Sequence, residues 1–113
     1  MELIQVLKAK IHRAEVTEAK LNYFGSITID KLLLEACGLF QLEKVLITSM
    51  RTGVRLETYI LEGEKGSGCI CMNGPSAHFI KKGDQILIMA FKMITPEFIS
   101  NHIPQIIFPS DKN

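Results

Sequence analysis

Three cysteines in 113 residues are too few for a disulfide framework. Cys69 and Cys71 lie two apart, which in a strand puts both on one face. No second pair and no nearby histidine completes a zinc set, so all three cysteines read as core residues. No histidine–carboxylate cluster is present, which argues against a metal-dependent hydrolase. Charge of one sign is also missing: 13 basic and 12 acidic residues give a formal net charge of +1. Without a basic block, a general nucleic-acid or membrane surface is not expected. The most apolar run, Ile86–Phe91, is far too short to span a bilayer, and no secretory signal is visible. A cytoplasmic location is the resulting expectation. No internal repeat or linker shows, so the chain reads as a single domain over residues 1–113.

What the chain does have is 47% hydrophobic residues, set out in short alternating segments. Residues 3–13 predict a strand with Lys8, Lys10 and His12 on one face. Thr17 predicts the cap of a single helical turn within 14–22. Residues 27–30 predict a short strand. Asp30 then caps a helix over 31–37 that Gly38 ends. Strands over 42–49 and 54–61, joined by Met50–Gly53, predict a hairpin. In it Arg55, Glu57 and Tyr59 share one face, and Leu56, Thr58 and Ile60 the other. A polar loop over 62–68, a short strand over 69–72 and an Asn73-Gly74-Pro75 turn follow. An apolar strand covers 85–91, Pro96 opens a helical segment, 105–108 adds an edge strand, and 110–113 frays. Six or seven strands in so short a chain pack naturally as a small mainly β barrel with short helices. Such a barrel has little concave volume, which points to an active site between copies.

Gly25-Ser26 carries the chemistry. Gly-Ser commonly just turns the chain into a strand. It also permits self-cleavage. A serine hydroxyl can attack the carbonyl carbon of the residue before it, turning the amide into an ester. Glycine leaves that carbonyl uncrowded and tolerates unusual backbone angles. Serine is a weak nucleophile, so orientation and an oxyanion donor must activate it. Elimination then makes dehydroalanine of Ser26, and hydration with loss of ammonia leaves a pyruvoyl group.

The chain resembles the bacterial aspartate 1-decarboxylase family, whose members are pyruvoyl enzymes. The matching stretches are Lys10-Ile11-His12-Arg13, Tyr23 to Asp30, Gly53 to Tyr59, Asn73 to His78 and Lys82 to Ile88. They run in order over roughly residues 1–98; beyond that no family signal is present. Pro75 and Ser76 depart from a stretch that is usually small and alanine-rich. The resemblance implies a six-stranded double-psi β-barrel, a homotetramer of processed protomers, and cleavage into a β chain, 1–25, and an α chain, 26–113. It implies a lyase that converts L-aspartate to β-alanine and carbon dioxide for pantothenate biosynthesis. The cofactor would be the pyruvoyl group from Ser26, with no metal and no pyridoxal phosphate. Some members also need a separate maturation factor. The competing expectation is an uncleaved or inactive barrel serving as a binding or regulatory module.

Residue roles follow from that resemblance. Ser26 is the pyruvoyl precursor that forms a Schiff base with the substrate amine. Tyr59 is the proton donor, and Tyr23 is a second site tyrosine or a wall residue. Arg55 and Lys10 bind the two substrate carboxylates, in an order the sequence leaves open; Gly74 and Pro75 add substrate contacts. Gly25, Thr58 and Asn73 join Ser26 in processing: Thr58 polarises the Gly25 carbonyl and Asn73 holds the oxyanion. Thr58 alternates away from Arg55 and Tyr59 on an ideal strand, a tension that a bulge or a subunit interface would resolve. His12 and His78 are second-layer or structural histidines.

Overall fold

The computed structural model describes residues 1–110 and 113. Among them run eight strands: β1 (Ile4–Glu15), β2 (Glu18–Lys20), β3 (Ser26–Asp30), β4 (Lys44–Ser49), β5 (Arg55–Gly63), β6 (Ile70–Asn73), β7 (Gln85–Ile94) and β8 (Gln105–Ile107). One α-helix, α1 (Lys31–Cys37), and 3-10 segments at Gly74–His78 and Pro96–Asn101 complete the set. The protein is therefore mainly β with short helices. The strand count is eight, where the sequence pattern suggests six or seven and the resemblance six.

The strands follow the order β2-β6-β3-β5-β4-β7-β1-β8. β3 pairs parallel with β5 and antiparallel with β6, so it lies inside the sheet with neighbours on both sides. The core is rich in isoleucine: Ile11, Ile27, Ile29, Ile47, Ile60, Ile70, Ile86 and Ile88 are all fully buried. β-branched side chains suit a pleated buried surface, and each such burial contributes about 2 kcal/mol.

Local rules account for most of the boundaries. Asp30 Oδ1 accepts the Leu32 amide at 2.8 Å, and α1 ends at Gly38 with φ +67°. Both caps fall where the sequence puts them. β4 and β5 form the expected antiparallel hairpin. Pro96 opens its 3-10 segment, and β8 lies parallel to β1 as an added strand.

Four local readings need correction. Thr17 caps no helix: its hydroxyl bonds the Ile70 carbonyl at 3.1 Å and the Ile70 amide at 3.0 Å. The chain stays extended there, and β2 pairs with β6. In β1, register shifts fall between Leu7 and Ala9 and between Ile11 and Ala14, with Arg13 at φ +61°. The even alternation that groups Lys8, Lys10 and His12 is thus interrupted twice. At the C-terminal end, Asp111 and Lys112 lie outside the described residues. Asn113, expected to fray, bonds Glu15 and Gly68 through its side chain. Of the cysteines, Cys37 and Cys71 are buried as expected, whereas Cys69 is only half-buried.

Candidate active site

Ser26 opens β3 and sits opposite Asn73 of β6. It is completely buried. Its hydroxyl donates to the Phe24 carbonyl at 3.3 Å and accepts from Asn73 Nδ2 at 2.9 Å. A buried serine is thus held one residue past a glycine, with an amide donor on its oxygen. The next turn presses against the same glycine. Gly74 has φ +78°, and a Cβ there would lie 2.8 Å from Gly25 Cα and 2.9 Å from Gly25 N. Backbone atoms cannot yield to such a contact, so only glycine fits at position 74. Pro75 is the second residue of the 3-10 turn that Gly74 begins, and Ser76 Oγ donates to the Asn73 carbonyl at 3.3 Å. The Pro75-Ser76 departure therefore builds a tied turn after Asn73.

A cleft of about 630 Å³ opens beside this junction. Gly25, Asn73, Pro75, Ser76 and Phe79 line one side, and Val54 to Tyr59 the other. Arg55, Thr58 and Tyr59 thus share one cleft with Gly25. A cleft running along β5 draws on both of its faces, which eases the tension over Thr58. Among the described residues Thr58 makes no side-chain hydrogen bond to the Gly25 carbonyl; the direct contact to Ser26 is from Asn73.

Other expected residues stand apart from the cleft. Lys10 and His12 lie on β1, which pairs with β7 and β8. His12 packs edge-on against Phe108 with ring centres 5.3 Å apart. Lys8 is committed elsewhere, with Nζ 2.7 Å from Glu43 Oε2. Tyr23 is about half exposed, with Lys20 Nζ 5.9 Å from its ring centre. His78 ends the 3-10 turn beside Phe79.

The far end of β3 is held differently. Asp30 is 1% exposed. Its carboxylate accepts the amides of Leu32 (2.8 Å), Gly66 (2.8 Å) and Gly68 (2.7 Å). Burial pushes its pKa up, but those three amides, with Lys65 nearby, outweigh it and hold the carboxyl below its ordinary 3.8. A second carboxylate, Asp84, takes Arg51 bidentately at 2.8 and 2.9 Å, and this pair likewise lowers its pKa.

The aspartate decarboxylase family model matches residues 2–113, so the likeness continues through the C-terminal residues past 98, where the sequence alone showed no family signal. This chain belongs to the aspartate decarboxylase family. Similar proteins include the aspartate 1-decarboxylase of Caldicellulosiruptor saccharolyticus, 52% identical over 111 residues, which span 98% of this chain and 87% of that protein. The aspartate 1-decarboxylase of Caldicellulosiruptor bescii is 54% identical over 110 residues, 97% of this chain and 86% of that one. That of Ruminiclostridium cellulolyticum is 50% identical over 110 residues, with the same coverage.

Within this aspartate decarboxylase chain, sequence reasoning passed over Phe79 and Ser76 as cleft walls and Thr48 beside Arg55. Thr48 pairs with Arg55 across the hairpin, and its buried hydroxyl has no partner among the described residues. Phe79 follows the Asn73–His78 stretch directly, and that position was the available signal.

Proposed function

We propose that this member of the aspartate decarboxylase family cleaves itself between Gly25 and Ser26, then decarboxylates L-aspartate to β-alanine and carbon dioxide. The product serves pantothenate synthesis, in the cytoplasm. One observation carries the reading: a fully buried Ser26 whose Oγ receives Asn73 Nδ2 at 2.9 Å, next to a glycine at the edge of a cleft containing Arg55 and Tyr59.

Ser26 Oγ attacks the Gly25 carbonyl carbon, the C–N bond breaks, and the hydroxyl proton passes to the departing amine. The product is an ester with a free amino group at Ser26. The carbonyl oxygen gains negative charge during attack, and a neutral amide donor such as Asn73 Nδ2 stabilises it without altering the proton balance. Thr58, which lines the same cleft, would polarise the Gly25 carbonyl. β-Elimination then releases the Gly25 carboxylate, and water with loss of ammonia completes a pyruvoyl terminus on the 26–113 chain. The residues present fit that group: its precursor is buried, has a donor on its oxygen, and adjoins the cleft.

When formed, the pyruvoyl group supplies an electrophilic keto carbon that accepts electrons as the α-carboxylate leaves. The chain's own side chains do the rest. Arg55 offers a planar, permanently charged fork for a carboxylate. Tyr59 donates the proton that replaces carbon dioxide. Pro75 shapes the wall against the substrate with Gly74 packed behind it on Gly25, and Phe79 keeps the wall apolar. Tyr23 flanks the cleavage point from outside.

The same reading closes the sheet into a six-stranded double-psi barrel. β2 continues β1 through Val16 and Thr17. The Val16 amide meets the Asp84 carbonyl at 2.8 Å, and the Thr17 amide the Ile70 carbonyl at 2.8 Å. With β1 and β2 as one strand and β8 added outside, six strands form the ring. Four processed protomers then assemble, and a neighbour brings Lys10, with His12 behind it, to the cleft. Lys10 and His12 lie outside their own chain's cleft, and Phe24, Ile103 and Phe108 are 80%, 84% and 72% exposed. Both facts support assembly.

Hydroxylamine labelling tests the proposal. Purified protein should carry a reactive carbonyl at the head of a fragment starting at position 26 and release β-alanine from aspartate. Ser26→Ala should do neither. Wild-type protein with no reactive carbonyl after prolonged incubation would contradict the reading.

A further inference from the structure

Four side chains form a cross-strand square behind the scissile bond. Ser26 and Thr28 project from one face of β3, opposite Asn73 and Cys71 of β6. Asn73 stands at the hub. Its Nδ2 donates to Ser26 Oγ at 2.9 Å and to Thr28 Oγ1 at 3.0 Å, and its Oδ1 accepts the Cys71 thiol at 3.1 Å. Ser26, Asn73 and Cys71 are 0%, 2% and 7% exposed, so water does not substitute for these contacts.

We propose that Cys71 and Thr28 are positioning residues for self-cleavage, which lock the Asn73 carboxamide with its NH₂ toward Ser26. The inference rests on the self-cleavage reading above and deepens it. A carboxamide has two orientations that exchange oxygen for nitrogen. Only one of them serves the reaction. With Nδ2 toward Ser26, the hydroxyl's own hydrogen is free to point at the Phe24 carbonyl, and the N–H that rests on Oγ is the one that shifts to the developing oxyanion as Oγ attacks. With Oδ1 toward Ser26, the asparagine would take the hydroxyl hydrogen and offer no donor. The two hydroxyls do not decide between these states, because each can donate or accept. The thiol decides. Sulfur is a poor acceptor, so Cys71 favours the state in which it donates to Oδ1. Burial raises the Cys71 pKa, with Glu18 adding to the effect, which keeps the thiol protonated and able to donate. Thr28 Oγ1 then occupies the second Nδ2 hydrogen and fixes the plane of the amide.

The test follows precursor cleavage over time by intact mass in Cys71→Val, Cys71→Ser and Thr28→Val, with wild type and Ser26→Ala alongside. Cys71→Val keeps the shape and deletes the donor, and cleavage should slow about tenfold or more. Cys71→Ser restores a donor and should return the rate to within about threefold of wild type, a rescue that simple packing would not give. Thr28→Val should slow cleavage about threefold to tenfold. Thermal melts confirm that the compared variants are folded. Should Cys71→Val fail to fold, Thr28→Val decides alone: slowed cleavage supports the inference and an unchanged rate overturns it. Equal rates in wild type, Cys71→Val and Cys71→Ser would also overturn it while leaving the self-cleavage reading intact. A wild-type chain that never cleaves would instead remove the reading on which it rests.

Discussion

β3 has two ends, and each buries a polar side chain in a different way. At one end the Asp30 carboxylate is met by three backbone amides and carries its charge into the interior. At the other the neutral Ser26 hydroxyl is met by one side chain, Asn73, and one carbonyl. Backbone donors cannot turn away, so the Asp30 end is an anchor that fixes the strand, α1 and the loop after β5 together. The partners of Ser26 are neutral and few, and one of them is a side-chain donor that can follow the reacting oxygen, so the Ser26 end is where bonds can change. A strand of five residues thus separates rigidity from reactivity by about 13 Å.

Removing the reactive end should produce the largest effect. Ser26→Ala should remain folded yet yield one uncut chain, with decarboxylation lowered at least ~1000-fold, measured as β-alanine released per protomer. Gly74→Ala comes next. Its Cβ would meet the Gly25 backbone at 2.8 Å and would sit at φ +78°. Cleavage should slow about 100-fold, read as the uncut fraction against time, and thermal stability should fall as well. A Gly74→Ala chain that cleaves normally would mean that the close approach has no bearing on the reaction.

The anchor end should behave in the opposite sense. Asp30→Asn turns an N–H group toward one of the three amides and leaves it unpaired. Stability should drop by about 2–3 kcal/mol, which for a chain of this length lowers the melting temperature by roughly 10 °C. The molecules that stay folded should still cleave within about twofold of the wild-type rate. A cleavage defect in Asp30→Asn larger than its stability loss would break the separation between the two ends.

The smallest effect is the pH dependence. Asp30 and Asp84 both have folded pKa values below the ordinary 3.8. Lowered carboxyl values mean that their stabilisation is complete above the unfolded pKa and is lost as pH falls through the folded values. Urea midpoints should therefore hold between neutral pH and about pH 5, then decline below about pH 4. Asp30→Asn should flatten part of that decline. A wild-type midpoint that rises on acidification would contradict the sign.

Much of this layout was legible in the residues. Asp30 and Gly38 bracket α1 because capping is local chemistry, and the β4–β5 hairpin followed from alternation with a turn at Gly53. β2 was not legible. Its three residues carry no pattern, and Thr17, which looks like a cap, serves instead as a cross-strand partner of Ile70. The interruptions in β1 were equally hidden, because a bulge depends on the partner strand. In the site, the Gly25-Ser26 pair stood out through its own chemistry, whereas Asn73, Arg55 and Tyr59 took their roles from the resemblance, with alternation adding only that Arg55 and Tyr59 share one face of β5. Cys71 read as plain core, since sequence shows that a thiol is buried but not which atom it meets there.

The most direct test of the account is the intact mass of the wild-type chain after purification and incubation. The account predicts two polypeptides, residues 1–25 and 26–113, the second lighter by one ammonia than a chain beginning with free serine. A single uncut chain, or a cut chain that keeps its amino-terminal serine, would contradict it.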